Sequence, residues 1–367
     1  MNVVGRSGKR ANGFSIFRWR DGRVTLVIRR MALHLTYRRY ALPFRVPVRT
    51  AHGIWAERTG LIVRLENADG RVGYGEVAPI PWFGTETVED AEEALKIVGE
   101  WVTPEQIAAV PAKLGCLRFA LAGALSGVSD GQLEGRPAYL AVAALLPAGR
   151  AALVQIEPKA ELGFRTFKWK VGVGDIADEL SLLDDVISKL PSGAKLRLDA
   201  NGAWDRRQAA RWLERAAERP VEFIEQPIAH DARGADDALR GLAGDFPIPI
   251  ALDESLVGAR DVERWLAADW PGVFVIKPSL LGDPAPVMAR LAKAQADVVF
   301  SSALETVVGA KAALQLAFAW TGKTRALGFG VWPLFVDGIF DGPFGAPFIR
   351  LEDVVRLNPE AAWIALN

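Results

Sequence analysis

Between Leu33 and about Tyr74, apolar and polar positions alternate in LHLTYRRYALPF and again in GLIVRLENADGRVGYGE. A period of two marks half-buried strands, and Asp69-Gly70 between them supplies a turn. Two helical stretches follow, around Val88–Val102 and Pro104–Val128, the second containing the apolar LRFALAGAL, suited to docking one unit on another. Strands followed by helices predict an α+β unit.

From about Ala151 the pattern becomes an alternation of apolar strands and amphipathic helices. Strands are predicted at Ala151–Ile156, Thr166–Val171, Lys195–Leu198, Val221–Ile224, Ile248–Leu252, Val273–Ile276, Val298–Phe300 and Arg325–Phe329, separated by stretches such as IADELSLLDDVISKL and RRQAARWLERAAE. This is an α/β pattern with enough parallel strands to close as a (β/α)8-type barrel. The stretch from Ile156 to Thr166 is too short for a full helix, so one barrel helix is expected to be missing or degenerate, as in a modified (β/α)7β barrel.

Composition narrows the class. A chain of 367 residues accommodates a barrel plus a smaller unit, and half hydrophobic with a quarter charged is ordinary for a soluble enzyme. No apolar run approaches the ~18 residues of a membrane span. The polar, basic start is not a secretory signal. The lone Cys116 excludes an internal disulfide framework and suits a reducing cytosol, so a cytoplasmic protein is expected. The net charge of zero conceals an asymmetry: eight basic residues against Asp21 give residues 1–30 a charge of +7, which leaves −7 on the remainder. Nothing downstream supplies a basic face for nucleic acid. The arm is read as a solvated extension, or as sequence upstream of a start at Met31. Phe14–Ile28 alternates around Asp21-Gly22, a short hairpin signal.

The ends of the strands carry the candidate chemistry, because barrel enzymes work at the C-terminal ends of their strands. The second predicted strand ends FKWKVG, the third LRLDAN, the fourth EFIEQP, the fifth ALDES and the sixth VIKPS. Lys170, Asp199, Glu225, Asp253 and Lys277 follow at intervals of 29, 26, 28 and 24 residues, one βα unit per step. Taken singly, an Asp after a strand is usually a helix cap and a Lys-x-Lys a solvated edge; five consecutive strands ending this way are not explained so. Three carboxylates at one mouth require a cation, and hard oxygen donors favour Mg²⁺. A metal holding a substrate carboxylate stabilises the enolate formed when its α-proton leaves. Lys170 is placed to take that proton, and Lys168 on the same face helps to lower its pKa.

The set KWK, LDAN, IEQP, LDES and IKPS resembles the muconate-lactonizing-type branch of the enolase superfamily, over nearly the whole chain after residue 30. The resemblance implies Asp199, Glu225 and Asp253 as metal ligands, Lys170 as base, Lys277 as the lysine on the opposite face, and Mg²⁺ as cofactor with Mn²⁺ as substitute. The parts become a basic extension (1–30), an α+β capping domain (31–130), a catalytic barrel (131–335) and a C-terminal segment returning to the cap (336–367). GEVAPIPWFGTET, RTAHG, SSALET and Arg197 are similar to the o-succinylbenzoate synthase family. That similarity implies dehydration of a small cyclohexadiene carboxylate on the way to menaquinone or phylloquinone, with Ser301, Ser302, Asn201, Arg197, Thr50 and Phe83 against substrate. Plainer readings stay open: Ser301 and Ser302 as helix caps, Trp82 and Phe83 as packing, Arg197 as a neutraliser of Asp199 or Glu225. His52 has no visible partner.

Three rival functions remain. Lysines on both faces serve racemization or epimerization of an N-succinylamino acid or dipeptide equally well, although LGFGVWPLF lacks the Asp-x-Asp of dipeptide epimerases. Gly172-Val173-Gly174-Asp175-Ile176-Ala177 fits a permissive dinucleotide fingerprint, but Asp175 would face the pyrophosphate. A non-catalytic scaffold would not need both lysine sites and the carboxylates intact. Because the resemblance starts after residue 30, a chain beginning at Met31 is expected to keep near-normal turnover and melting temperature. Collapse of either, measured against the full chain, would show that the arm is part of the fold.

Overall fold

The computed structural model describes residues 32–50, 53–128 and 135–366, with the backbone of 19–20 and 23–24. Trp19–Arg20 pairs antiparallel with Arg23–Val24 around Asp21-Gly22, in keeping with the hairpin signal. The other expectations for residues 1–30, and those for His52, lie outside the described residues.

The N-terminal cap is a four-stranded antiparallel sheet in the order β3-β2-β1-β4, built from β1 (Leu33–Thr50), β2 (Gly53–Glu66), β3 (Val72–Val77) and β4 (Trp101–Val102). The Asn67 side chain accepts from the N–H groups of Asp69 and Arg71 and closes the β2–β3 turn. The first helical stretch is shorter than expected. Helix α1 (Val88–Val98), started by a Thr87–Asp90 capping box, stops at Gly99, and Trp101–Val102 pairs with Leu33–His34 instead. The second stretch is two helices, α2 (Pro104–Ala108) and α3 (Gly115–Gly127). Pro111 lies in the break between them, and proline interrupts a helix by removing an N–H. Helix α3 lies hard on β3: a Cβ at Gly75 would sit 1.8 Å from the Ala120 carbonyl oxygen, so only glycine permits this approach.

After β5 (Tyr139–Ala141), seven parallel strands run in sequence order: β6 (Ala144–Leu146), β7 (Thr166–Lys170), β8 (Lys195–Asp199), β9 (Val221–Glu225), β10 (Ile250–Leu252), β11 (Val273–Ile276) and β12 (Asp297–Phe300). Helices α4 (Leu153–Glu161), α5 (Ile176–Lys189), α6 (Arg206–Ala216), α7 (Ala235–Asp245), α8 (Ala259–Ala267), α9 (Pro284–Lys293) and α10 (Val307–Ala319) each follow one of these strands.

Two barrel expectations are corrected. Ala151–Ile156 is helical, entering α4: Ala152 and Ile156 are buried four residues apart while Val154 is 72% exposed, a helical and not an alternating spacing. The true first strand is the short β6 just before Pro147, and α4 supplies the crossover expected to be missing. Arg325–Phe329 is not a continuous strand. It closes the barrel through parallel bridges at Leu327 to Val142 and Gly328 to Ser301, so the architecture is (β/α)7β with a vestigial eighth strand.

Cap and barrel interlock through two buried charges. Glu76 on β3 accepts from the Tyr40 hydroxyl (2.5 Å), the Thr306 hydroxyl (2.6 Å) and the N–H groups of Thr306 and Gly309 (3.0 and 2.8 Å). A cap carboxylate thus satisfies the N-terminus of α10, where its charge is favoured. Arg58 on β2, 1% exposed, donates to the carbonyls of Ala78 and Pro79 in the cap and of Ala303 and Leu304 in the barrel. The C-terminal segment, with β13 (Phe348–Arg350), α11 (Leu351–Arg356) and α12 (Pro359–Ala365), returns to the cap: Arg38 donates to the Trp363 carbonyl and lies 4.1 Å from its ring centroid. Among the described residues no helix is long and apolar enough to cross a membrane.

Replacing Glu76 strands several buried donors. Glu76→Ala is expected to lower unfolding free energy by about 3 kcal/mol or more in urea titration. Glu89→Ala, which removes only the exposed Arg39 pair, should leave the curve unmoved.

Candidate active site

Parallel register sets Lys170, Asp199 and Glu225 at one level, with Asp253 and Lys277 further along their own strands at the same barrel mouth. Asp199 is the Cα partner of Lys170 on one side and of Glu225 on the other, and Glu225 is paired with Ala251 two residues before Asp253. Lys168 and Lys170 on β7 and Lys277 just after β11 stand on strands two and six of eight, opposite one another across the barrel.

The charges meet in two groups. The Lys168 ammonium lies 2.8 Å from Asp199 Oδ2 and 2.7 Å from Glu225 Oε1. Lys277, 8% exposed, donates to Asp253 Oδ1. Burial works against the Lys168 charge, but Asp199 and Glu225 outweigh it and hold the ammonium above its ordinary value. For Lys277 the balance tips the other way: burial, with Lys168 adding to it, brings it down to about 8 despite the nearby carboxylates. The direct Asp253 contact opposes that fall, so the downward direction reflects burial above all. Burial and Asp199 push Glu225 upward. Among the described residues, no three acidic, histidine or cysteine side chains stand close enough as they are to hold an ion. Lys168 and Lys277 face these carboxylates with two ammonium groups.

The loops carry three residues that the sequence reading passed over. Gln226, fully buried and at φ 37°, accepts from the N–H groups of Asp253 and Ser255 and donates to Ile228 and Ser255, bracing the Asp253 loop. Glu254 is a fourth carboxylate at the mouth, pushed up to about 7 by burial and by Asp199 and Glu225. Asn201, at φ 45°, donates to it at 3.0 Å. Gln226 and Glu254 lie inside the IEQP and LDES motifs, each beside a candidate metal ligand. The third, Glu305, is buried with one oxygen unpartnered while the other accepts from Ser302 and Ala303, and burial raises it to about 7.

The expected substrate contacts divide. The Phe83 ring, on a short cap turn, lies 5.0 Å from the Lys277 nitrogen and so reaches the mouth. Asn201 lies two residues after Asp199 and its N–H donates to that carboxylate. Ser301 and Ser302 lie after β12, but both hydroxyls are engaged within the protein, Ser301 with the Gly328 carbonyl and Ser302 with Glu305. Thr50 sits at the β1–β2 tip, where its hydroxyl donates to the Gly53 carbonyl. Arg197 is a correction: at 1% exposure it lies below the mouth, bonded to Glu222 and the Ala326 carbonyl, with Phe223 stacked 4.8 Å away. It points inward two residues before Asp199, one layer too deep to meet substrate. An open recess of about 620 Å³ lined by Lys195, Glu222 and Arg325 is at the opposite, N-terminal end of the strands.

A capped (β/α)7β barrel with lysines facing one another across strand-end carboxylates defines an enolase-type barrel enzyme. A family model described as enolase C-terminal domain-like matches residues 151–347, and one described as MenC, N-terminal domain matches 31–126. An o-succinylbenzoate synthase of Thermosynechococcus vestitus is 42% identical over 80% of this chain and 91% of its own length. The crystal structure of o-succinylbenzoate synthase from Thermosynechococcus elongatus BP-1, complexed with Mg in its active site, superimposes with a TM-score of 0.78 at 38% identity, covering 88% of this chain and 98% of that one. A hydrophobic dipeptide epimerase of Roseobacter litoralis is 30% identical over 61% of this chain and 69% of its own. The chain belongs to the o-succinylbenzoate synthase family of the enolase superfamily.

Glu305 gives the fold a pH dependence of known sign. Its folded pKa, about 7, lies above the ordinary value of 4.5, so its contribution is favourable below pH 4.5 and is lost as pH rises to 7. Glu305→Gln is therefore expected to raise the melting temperature at pH 8 and to change it far less at pH 5. An equal effect at both would contradict the raised pKa.

Proposed function

We propose that the protein carries out the o-succinylbenzoate synthase reaction, a carbon–oxygen lyase step. It dehydrates 2-succinyl-6-hydroxy-2,4-cyclohexadiene-1-carboxylate to 2-succinylbenzoate, on the way to menaquinone or phylloquinone. The observation that carries this is the placement of Lys170 and Lys277 on opposite strands with Asp199, Glu225 and Asp253 between them, in a chain 42% identical to a synthase over most of its length.

The donor set fits a hard divalent cation. Its members are carboxylate oxygens at successive strand ends, with two ammonium groups now balancing charge that an ion would balance. Magnesium, or manganese in its place, would supply positive charge for the substrate carboxylate and the enolate. Asp199, Glu225 and Asp253 would hold it. Lys170 removes the α-proton and returns a proton to the departing hydroxyl on the same face, so one side chain serves both transfers. Lys277 presents charge to the opposite face of the ring, and Phe83 closes that side from the cap. Lys168 keeps its proton against Asp199 and Glu225, which prevents those acids from repelling the substrate carboxylate.

Racemization of an N-succinylamino acid is the second reading, favoured by lysines on both faces. The reactions separate in deuterated water. Lys170→Ala is expected to abolish dehydration while the fold stays intact, and Lys277→Ala to cost several orders of magnitude. Chelation with EDTA should stop turnover, and Mg²⁺ should restore it. Deuterium entering an N-succinylamino acid from both lysines would support the racemase reading; full dehydration by Lys170→Ala would overturn the assignment of the base.

A further inference from the structure

The turn Gly172-Val173-Gly174, two residues beyond Lys170, presents three successive N–H groups toward one point, as a phosphate-binding loop does. That point is filled from within. Glu179, only 4% exposed, accepts from Gly172 through Oε2 at 2.8 Å and from Val173 and Gly174 through Oε1 at 3.1 and 3.0 Å. A carboxylate this buried is costly without compensation, and three N–H donors provide it. The nucleotide reading of this motif is thereby removed, since its anion site is occupied by the chain's own acid.

Glu179 is not needed as a helix cap. Asp175 already accepts from the N–H groups of Ala177 and Asp178 and starts α5. What Glu179 fixes is the chain leaving β7. The Val171 N–H donates to the Asp199 carbonyl at 2.9 Å. Gly172, at φ +75°, runs so close to the loop after Asp199 that a Cβ there would sit 2.7 Å from the Ala203 side chain. Backbone on both sides of Lys170 is thus held: by the β7–β8 ladder before it and by the Glu179 carboxylate after it.

We propose that Glu179 is a positioning residue for Lys170, holding the exit of its strand so that the lysine nitrogen meets the substrate α-proton. The inference rests on the reading of Lys170 as base. A buried acid that served only stability would change the melting temperature and leave the proton transfer alone. One that sets Lys170 changes the step in which Lys170 acts.

The test uses the full chain with Mg²⁺ and compares Glu179→Ala and Glu179→Gln with the parent and with Lys170→Ala. The readouts are kcat, KM, the primary isotope effect with substrate deuterated at the α-carbon, and the response to sodium formate. For Glu179→Ala, kcat should fall ~10- to 100-fold, the scale of a small misplacement of a reacting group, with KM little changed. The isotope effect should rise as proton transfer becomes the slower step. Formate, refilling the amide nest, should restore part of kcat in Glu179→Ala and none in Lys170→Ala. Glu179→Gln retains the volume but turns an NH₂ toward the Gly172 N–H, so a smaller loss without formate rescue is expected; it also serves if the alanine variant does not fold. An unchanged kcat in a folded variant would overturn the proposal, as would a loss of kcat with an unchanged isotope effect and no response to formate. If the parent itself neither dehydrates the diene nor exchanges the α-proton of an N-succinylamino acid, Lys170 is not a base and both readings fall. A working parent with indifferent Glu179 variants sinks this inference alone.

Discussion

Negative charge gathered at one end of a barrel has to be balanced before anything else there can be built. Asp199, Glu225 and Asp253 lie within the same mouth as Glu254, and all four are wholly or largely withdrawn from water. Lys168 and Lys277 answer them, one bridging two acids and the other gripping the third. Isolated buried carboxylates take up protons; paired ones need not. That pairing sets the rest of the local structure. Asn201 and Gln226 accept unfavourable left-handed backbone to place their amides against the acids and their loops. Two opposed lysines in such surroundings differ in proton affinity, Lys168 above its ordinary value and Lys277 below.

The cap is fastened to this arrangement at the loop after β12. Arg58 bonds carbonyls on both sides of the seam, and Glu76 sits on the first turn of α10. Ser301 and Ser302 belong to that same loop, and Leu304 within it holds φ 60°. Shape at the serines is therefore shared between cap and barrel. Phe83 over Lys277 shows the same sharing on the other side of the mouth.

The sequence revealed the site more readily than its surroundings. Five charged residues at intervals of one βα unit are a signal that burial preference cannot produce, and the structure sets Lys170, Asp199 and Glu225 at one level with Asp253 and Lys277 just beyond it. Short apolar runs were ambiguous: ALVQI reads as strand or helix until the burial of Ala152 and Ile156 four apart decides it. The broken helix at Pro104–Val128 carried its own warning in Pro111. Arg197 shows a different difficulty, since depth along a strand is invisible in a list of motif residues. Glu179 and Gln226 were beyond reach for another reason: their partners are mainly backbone groups, and backbone leaves no letter in the sequence.

The return of the C-terminal segment to the cap bears on how the molecule is made. Arg38 meets Trp363 across 325 residues, Arg58 meets Leu304 across 246, and Glu76 meets Thr306 across 230. Contacts so distant along the chain repay the entropy of closing their loops only after most of the polypeptide has found its place, which makes them late events in folding. On a ribosome the first-synthesised sheet must wait, with its barrel-facing groups unsatisfied, until the last helices emerge. The mouth assembled between them is thus completed near the end, and a chain cut short before Trp363 lacks the fastening of its own beginning.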